Sequence, residues 1–150
     1  MEKRMKTFKC ISLFVLLIAV LTACGPKPTE TLVFQGNNPY APQAADSALM
    51  RGEITIDSAS LSLTKSQPPQ VMLNFAYFQP TPCYQLRVEV SGPDAQNRTD
   101  VTAYVMAEKD KPCTLMPLAT PLQASLNLGS FLSGHYSVWL NGSQVGEFDS

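Results

Sequence analysis

The sequence predicts an all-β fold, an antiparallel β-sandwich of about seven or eight strands. Three observations carry this. From Arg51 to the C-terminus apolar residues recur with a period of two, the pattern of half-buried strands. Turn formers stand between the runs: Gln67-Pro68-Pro69, Pro80-Thr81-Pro82, Gly92-Pro93-Asp94, Lys111-Pro112, Ser133-Gly134 and Asn141-Gly142. Each fixes φ or tolerates a positive one. No stretch of this region carries the 3.6-residue period of a helix. Short strands separated by turns over about 100 residues fit two packed antiparallel sheets.

The elements follow in order. Ile54 and Ile56 alternate with Glu53, Thr55 and Asp57, and Leu61 and Leu63 with Ser60, Ser62 and Thr64. Val71, Leu73, Phe75 and Tyr77 make the next stripe, then Tyr84, Leu86, Val88 and Val90 opposite Gln85, Arg87, Glu89 and Ser91. Val101, Ala103 and Val105 follow, then Leu122, Ala124, Leu126 and Leu128. The last pair is Tyr136, Val138 and Leu140 with Val145 to Phe148. Asn141-Gly142 joins them as a hairpin signal, because a type I′ turn needs positive φ at both central residues.

Residues 128–140, from Leu128-Gly129 through Gly134-His135-Tyr136-Ser137-Val138, resemble the corner before a late strand of immunoglobulin-like and fibronectin type III-like domains. On that resemblance Tyr136 is the corner tyrosine, its hydroxyl tucked against the upstream turn. The wider string runs from Asn38-Pro39-Tyr40 through Pro82-Cys83 to Val145-Gly146-Glu147-Phe148. It is similar to a group of uncharacterised bacterial lipoproteins, which implies a fold and a location but no activity.

The N-terminus supports the same location. Lys3, Arg4, Lys6 and Lys9 precede the apolar run Ile11–Val20, and Leu21-Thr22-Ala23-Cys24 closes it. This looks like a lipoprotein signal peptide, residues 1–23, forming a signal helix whose lipobox ends in Cys24, the residue to be acylated. A transmembrane helix is the competing reading. Ile11 to Ala23 is 13 residues, and at ~1.5 Å each they fall short of a ~30 Å hydrocarbon core. The expected place is the cell membrane or outer membrane, lipid-anchored on the extracytoplasmic side. Gly25, rather than Asp, after the cysteine resembles the outer-membrane sorting pattern. Residues 24–49 read as the lipidated N-terminus and a flexible linker, and 50–150 as the sandwich domain. Leu32-Val33-Phe34 is an apolar exception in the linker, read either as an added strand on the domain or as a segment resting near the lipid headgroups.

Residues 24–150 carry 7 basic and 11 acidic side chains, a net charge of −4. Such a scattered acidic balance argues against nucleic acid as a partner. Export leaves Cys83 and Cys113 in an oxidising compartment, where a pair favours one structural disulfide over a redox or metal-binding thiol pair. Closing a loop of about 30 residues stabilises by roughly 3–4 kcal/mol in the chain-entropy model. Cys10 lies in the signal peptide.

No catalytic set stands out. No serine sits in a G-x-S-x-G elbow, and the single histidine, His135, falls on an alternating strand. Glu53, Asp57, Glu89 and Asp100 read as solvated charges on polar strand faces. Neither metal-ligand spacing nor a phosphate-cradling glycine loop occurs, so no cofactor or metal is expected. Met50, Met72, Met106 and Met116 are scattered and read as core filler.

Two surface features remain. His135, Ser137 and Trp139 share a strand face opposite Tyr136, Val138 and Leu140. An outward Trp139 would anchor a partner or a glycan ring, unless it packs under a loop or the disulfide. The second feature is Thr64-Lys65-Ser66-Gln67-Pro68-Pro69-Gln70. It is an ordinary proline-rich turn, or more. It resembles the reactive loop of Bowman–Birk serine-protease inhibitors, T-K-S-x-P-P-Q. That resemblance places Lys65 in a trypsin-like specificity pocket and makes Lys65-Ser66 the resisted bond. The family closes this loop with flanking cysteines, where this chain has Leu63 and Val71.

The expectation is therefore a non-catalytic binding module of the bacterial envelope, not an enzyme. Its membrane partner is reached through the lipid, and its ligand is an envelope protein or glycan. The alternative is a surface protease inhibitor presenting Lys65-Ser66. A hydrolase would need convergent acidic or hydroxyl groups in a deep pocket.

Overall fold

The computed structural model describes residues 36–111 and 120–150. Residues 1–23, read above as a signal peptide, and Cys24, Leu32-Val33-Phe34, Cys113 and Met116 lie outside the described residues. Within them eight strands form two facing sheets. Sheet one holds β1 (Leu49–Gly52), β4 (Gln85–Val90), β5 (Arg98–Glu108), β7 (His135–Leu140) and β8 (Ser143–Asp149). Sheet two holds β2 (Thr55–Leu63), β3 (Val71–Phe78) and β6 (Leu122–Gly129), in the order β2-β3-β6. The all-β sandwich expected from the period-two pattern is the fold.

Its core is the set of inward stripes. Val71, Leu73 and Phe75 of β3 and Leu126 and Leu128 of β6 meet Val88, Val101, Val105, Val138 and Leu140 from the opposite sheet, all buried. The β7 alternation holds residue by residue: Tyr136, Val138 and Leu140 are buried, while His135, Ser137 and Trp139 are not. Tyr136 stacks on Phe148 with ring centres 5.6 Å apart, and Phe131 packs against both. A Cβ at Gly134 would lie 3.4 Å from the Tyr136 ring and 3.6 Å from its hydroxyl, so the tyrosine does rest on the upstream turn.

The strand list differs from the sequence reading in two places. The Ile54–Ile56 and Leu61–Leu63 runs are one strand, β2. A bulge between Ile56 and Ser58 shifts the register by one residue. That shift moves the inward side from even to odd positions, from Ile56 to Ala59 and Leu61. The eighth strand is β1, which begins at Leu49, the last residue of the segment read as linker.

The linker boundary moves with it. Tyr40 accepts a hydrogen bond from Val88 N–H at 2.8 Å, and Asn38 Nδ2 donates to Val88 C=O at 2.7 Å. These residues cover the free edge of β4, an edge that would otherwise expose unpaired backbone groups. The 3₁₀ helix Ala44–Ala48 then sets Asp46 on Arg87, with Nε–Oδ2 2.7 Å and Nη2–Oδ1 2.9 Å. Arg87, read as a polar-face residue, is therefore buried at 6% exposure. The bidentate pair holds the Asp46 carboxyl below the usual carboxylate range.

One strand pair is parallel. The second edge of β5 serves two partners: β7 in parallel over Arg98–Val101, and β1 antiparallel over Val105–Glu108. Asn141 fills the gap between them. Its Oδ1 accepts from Ala103 N–H at 2.7 Å and its Nδ2 donates to Ala103 C=O at 2.9 Å. The side-chain amide thus acts as one more peptide unit in the ladder. Asn141 and Gly142 have φ of 47° and 82°, as a two-residue β7–β8 turn requires.

Candidate functional site

The β2–β3 hairpin ends in the loop Thr64–Gln70. Beneath it the ladder runs without a break, with Leu63 paired to Val71 and Ser62 to Met72. Thr64 N–H donates to Gln70 C=O at 2.9 Å, which closes the loop's base. Leu63 and Val71 thus hold by strand pairing the positions that cysteines hold in the inhibitor family.

Inside the loop the hydroxyls form a relay. Gln70 N–H donates to Thr64 Oγ1 at 2.9 Å, Thr64 and Ser66 share a hydroxyl bond at 2.6 Å, and Ser66 Oγ donates to Pro68 C=O at 3.0 Å. A hydroxyl has one proton. Ser66 gives its proton to Pro68, so Thr64 is the donor to Ser66. The chain of donors runs Gln70, Thr64, Ser66 and ends on the Pro68 carbonyl, which accepts. Such chains polarise one another. Pro68 and Pro69 add to it by fixing φ at two further positions of the loop.

Lys65 stands outside this network. It is exposed and, among the described residues, makes no ion pair. The arrangement therefore fixes the backbone on both sides of the Lys65–Ser66 bond and leaves the ammonium free. A preordered loop loses less entropy when it binds.

The second predicted feature is less available. Trp139 does lie on the outer face of sheet one, but it is half-buried. The Arg98 guanidinium sits 4.2 Å from its ring centre, and its Nε1 donates to Ser137 Oγ at 3.3 Å. Asp100 holds that guanidinium, with Nε–Oδ1 3.0 Å. Trp139 thus faces outward as a half-buried tryptophan with a cation over its ring.

His135 is 62% exposed and bonded at both nitrogens, Nδ1 to Asp149 at 2.8 Å and Nε2 to Glu147 at 3.2 Å. Those two carboxylates push its pKa up, Asp149 the more strongly. His135 and Trp139 thus share one face of β7 with Ser137 between them, each with its own partners, and neither lies in the loop of Lys65 and Ser66.

Residues 38–42 and β4–β5 border an open cleft of about 500 Å³. Both of its carboxylates are engaged: Glu89 accepts from Tyr104 Oη at 2.6 Å, and Asp100 binds Arg98. Cys83 sits in the β3–β4 connection. Nothing local in the sequence marks the Asp46–Arg87 pair, or the bonds between Thr64 and Gln70. Hydroxyls at positions 64 and 66 of a proline loop were the only signal for that relay. Comparison with protein-family models, with curated proteins and with solved structures finds no match for this chain.

Proposed function

We propose that this protein is a lipid-anchored, extracytoplasmic binding module whose ligand is a trypsin-like serine protease seated on Lys65–Ser66. The observation that carries the reading is the hydroxyl relay through Thr64 and Ser66. It bridges the two sides of the one bond such a protease would attack.

The chemistry follows from the geometry. The Lys65 ammonium enters a specificity pocket that carries a carboxylate. The enzyme's nucleophile then meets the Lys65 carbonyl. Cleavage would release Ser66 as an amine, but Ser66 stays tied to Thr64 on one side and Pro68 on the other. The new amine remains beside the carbonyl carbon it left, and rejoining competes with hydrolysis. The loop acts as a substrate that turns over slowly.

Acylation of Cys24 and a disulfide between Cys83 and Cys113 belong to the same proposal, the first supported by the lipobox pattern and the second by an even cysteine pair in an exported chain. Anchoring would hold the inhibitor at the envelope surface, near proteases arriving from outside. The likeness to uncharacterised bacterial lipoproteins agrees with that placement.

The test is titration of trypsin with the full chain in mild detergent. Wild type is expected to inhibit, and Lys65→Ala to lose inhibition with an unchanged circular-dichroism spectrum. An uninhibited trypsin in the presence of wild type overturns the proposal.

A further inference from the structure

We propose that Leu63 is a second anchor for the protease, seated in an apolar subsite of the enzyme two residues before Lys65; this rests on the inhibitor reading above. Leu63 is 52% exposed, one of three large apolar side chains so exposed among the described residues. It continues the inward stripe of Leu61 but lies at the end of β2, where the core stops.

Its backbone is as available as its side chain. Strand β2 is an edge of sheet two. Thr64 N–H bonds to Gln70 C=O, and Gln70 N–H to Thr64 Oγ1, so the Thr64 N–H points across the hairpin toward the opposite arm. Alternation then makes Leu63 and Val71 a non-hydrogen-bonded pair. The N–H and C=O of Leu63 therefore point away from β3, toward open solvent at the sheet edge. An enzyme strand can pair with them while Lys65 fills the primary pocket, and main-chain pairing with alternate side chains in pockets is a general mode of peptide recognition. Thr64, between the two, turns its side chain inward to the relay. The loop thus presents two separated anchors of different chemistry, one apolar and one cationic. The partner it fits is a serine protease with a carboxylate in its primary pocket and an apolar patch beside it.

Three full-length variants, Leu63→Ala, Leu63→Ser and Lys65→Ala, test this by inhibition constant on trypsin and by the rate at which the Lys65–Ser66 bond is cut. Both Leu63 variants are expected to weaken inhibition about tenfold or more, Leu63→Ser the more, with the cutting rate unchanged. If Leu63→Ala inhibits as wild type does while Lys65→Ala does not, the second anchor falls and the inhibitor reading stands. If Leu63→Ala loses inhibition only in step with faster cutting, Leu63 is a clamp on the loop and the proposal is overturned. A wild-type chain that leaves trypsin active sinks both.

Discussion

Two hairpins of this sandwich use polar side chains in opposite ways. The β7–β8 connection is the shortest possible, Asn141-Gly142, and the Asn141 amide turns back to complete the ladder of β5 at Ala103. The β2–β3 connection is the seven-residue loop Thr64–Gln70, and its hydroxyls bond only within the loop. The first turn spends its polar groups on the fold. The second orders itself and leaves its tip residue, Lys65, unengaged. Function and stability should therefore separate cleanly between the two.

The largest expected effect is on the loop's tip. Lys65→Glu should weaken trypsin inhibition by at least about a hundredfold, since a buried charge contact is reversed. Its melting temperature should match wild type. A large drop in melting temperature would mean that the tip supports the fold after all.

The opposite result is expected at the short turn. Asn141→Ala removes both bonds to Ala103 and forces a positive φ on alanine, a loss of about 2–3 kcal/mol by denaturant unfolding. Asn141→Gly keeps the backbone and loses only the amide, so it should cost less. Inhibition by the folded fraction should be unchanged in both.

Thr64→Val sharpens the contrast within the loop. It deletes the centre of the relay, and trypsin should cut the Lys65–Ser66 bond about tenfold faster. Mass spectrometry of the two fragments measures this.

Thr99 supplies a control within the core. It is 2% exposed, and its Oγ1 has no hydrogen-bond partner among the described residues. Replacing it with valine should stabilise by about 1 kcal/mol, because an unsatisfied hydroxyl leaves the interior. The hairpins should not notice.

The smallest effect is at His135, whose pKa is raised by Asp149 and Glu147. A raised folded pKa favours the folded state while the imidazole is charged. That contribution is present below the ordinary histidine range and is lost as pH rises through the elevated value. Melting temperature should fall slightly over that interval in wild type and not in His135→Gln. Exposure and salt screening keep the difference small.

The strands were legible because alternation is local. Each inward residue from Val71 to Tyr77 and from Tyr136 to Leu140 could be named from its neighbours alone. The Asn-Gly turn was legible for the same reason, since its φ values follow from two residues. Arg87 was not. Its burial depends on Asp46, 41 residues earlier, and nothing near Arg87 marks it as other than a surface charge. Trp139 was half legible: its face was readable, but the Arg98 guanidinium over it was not.

The period of two, the turn residues and the motif Thr64–Gln70 are properties of neighbouring positions and can be read along the chain. The parallel β5–β7 pair, the covered edge of β4 and the hydroxyl relay that fixes the loop exist only in the folded protein. Each of these joins groups that come together only after the chain has closed on itself. A hydrogen bond is specified by where its two ends meet in space, and residue order alone does not carry that information.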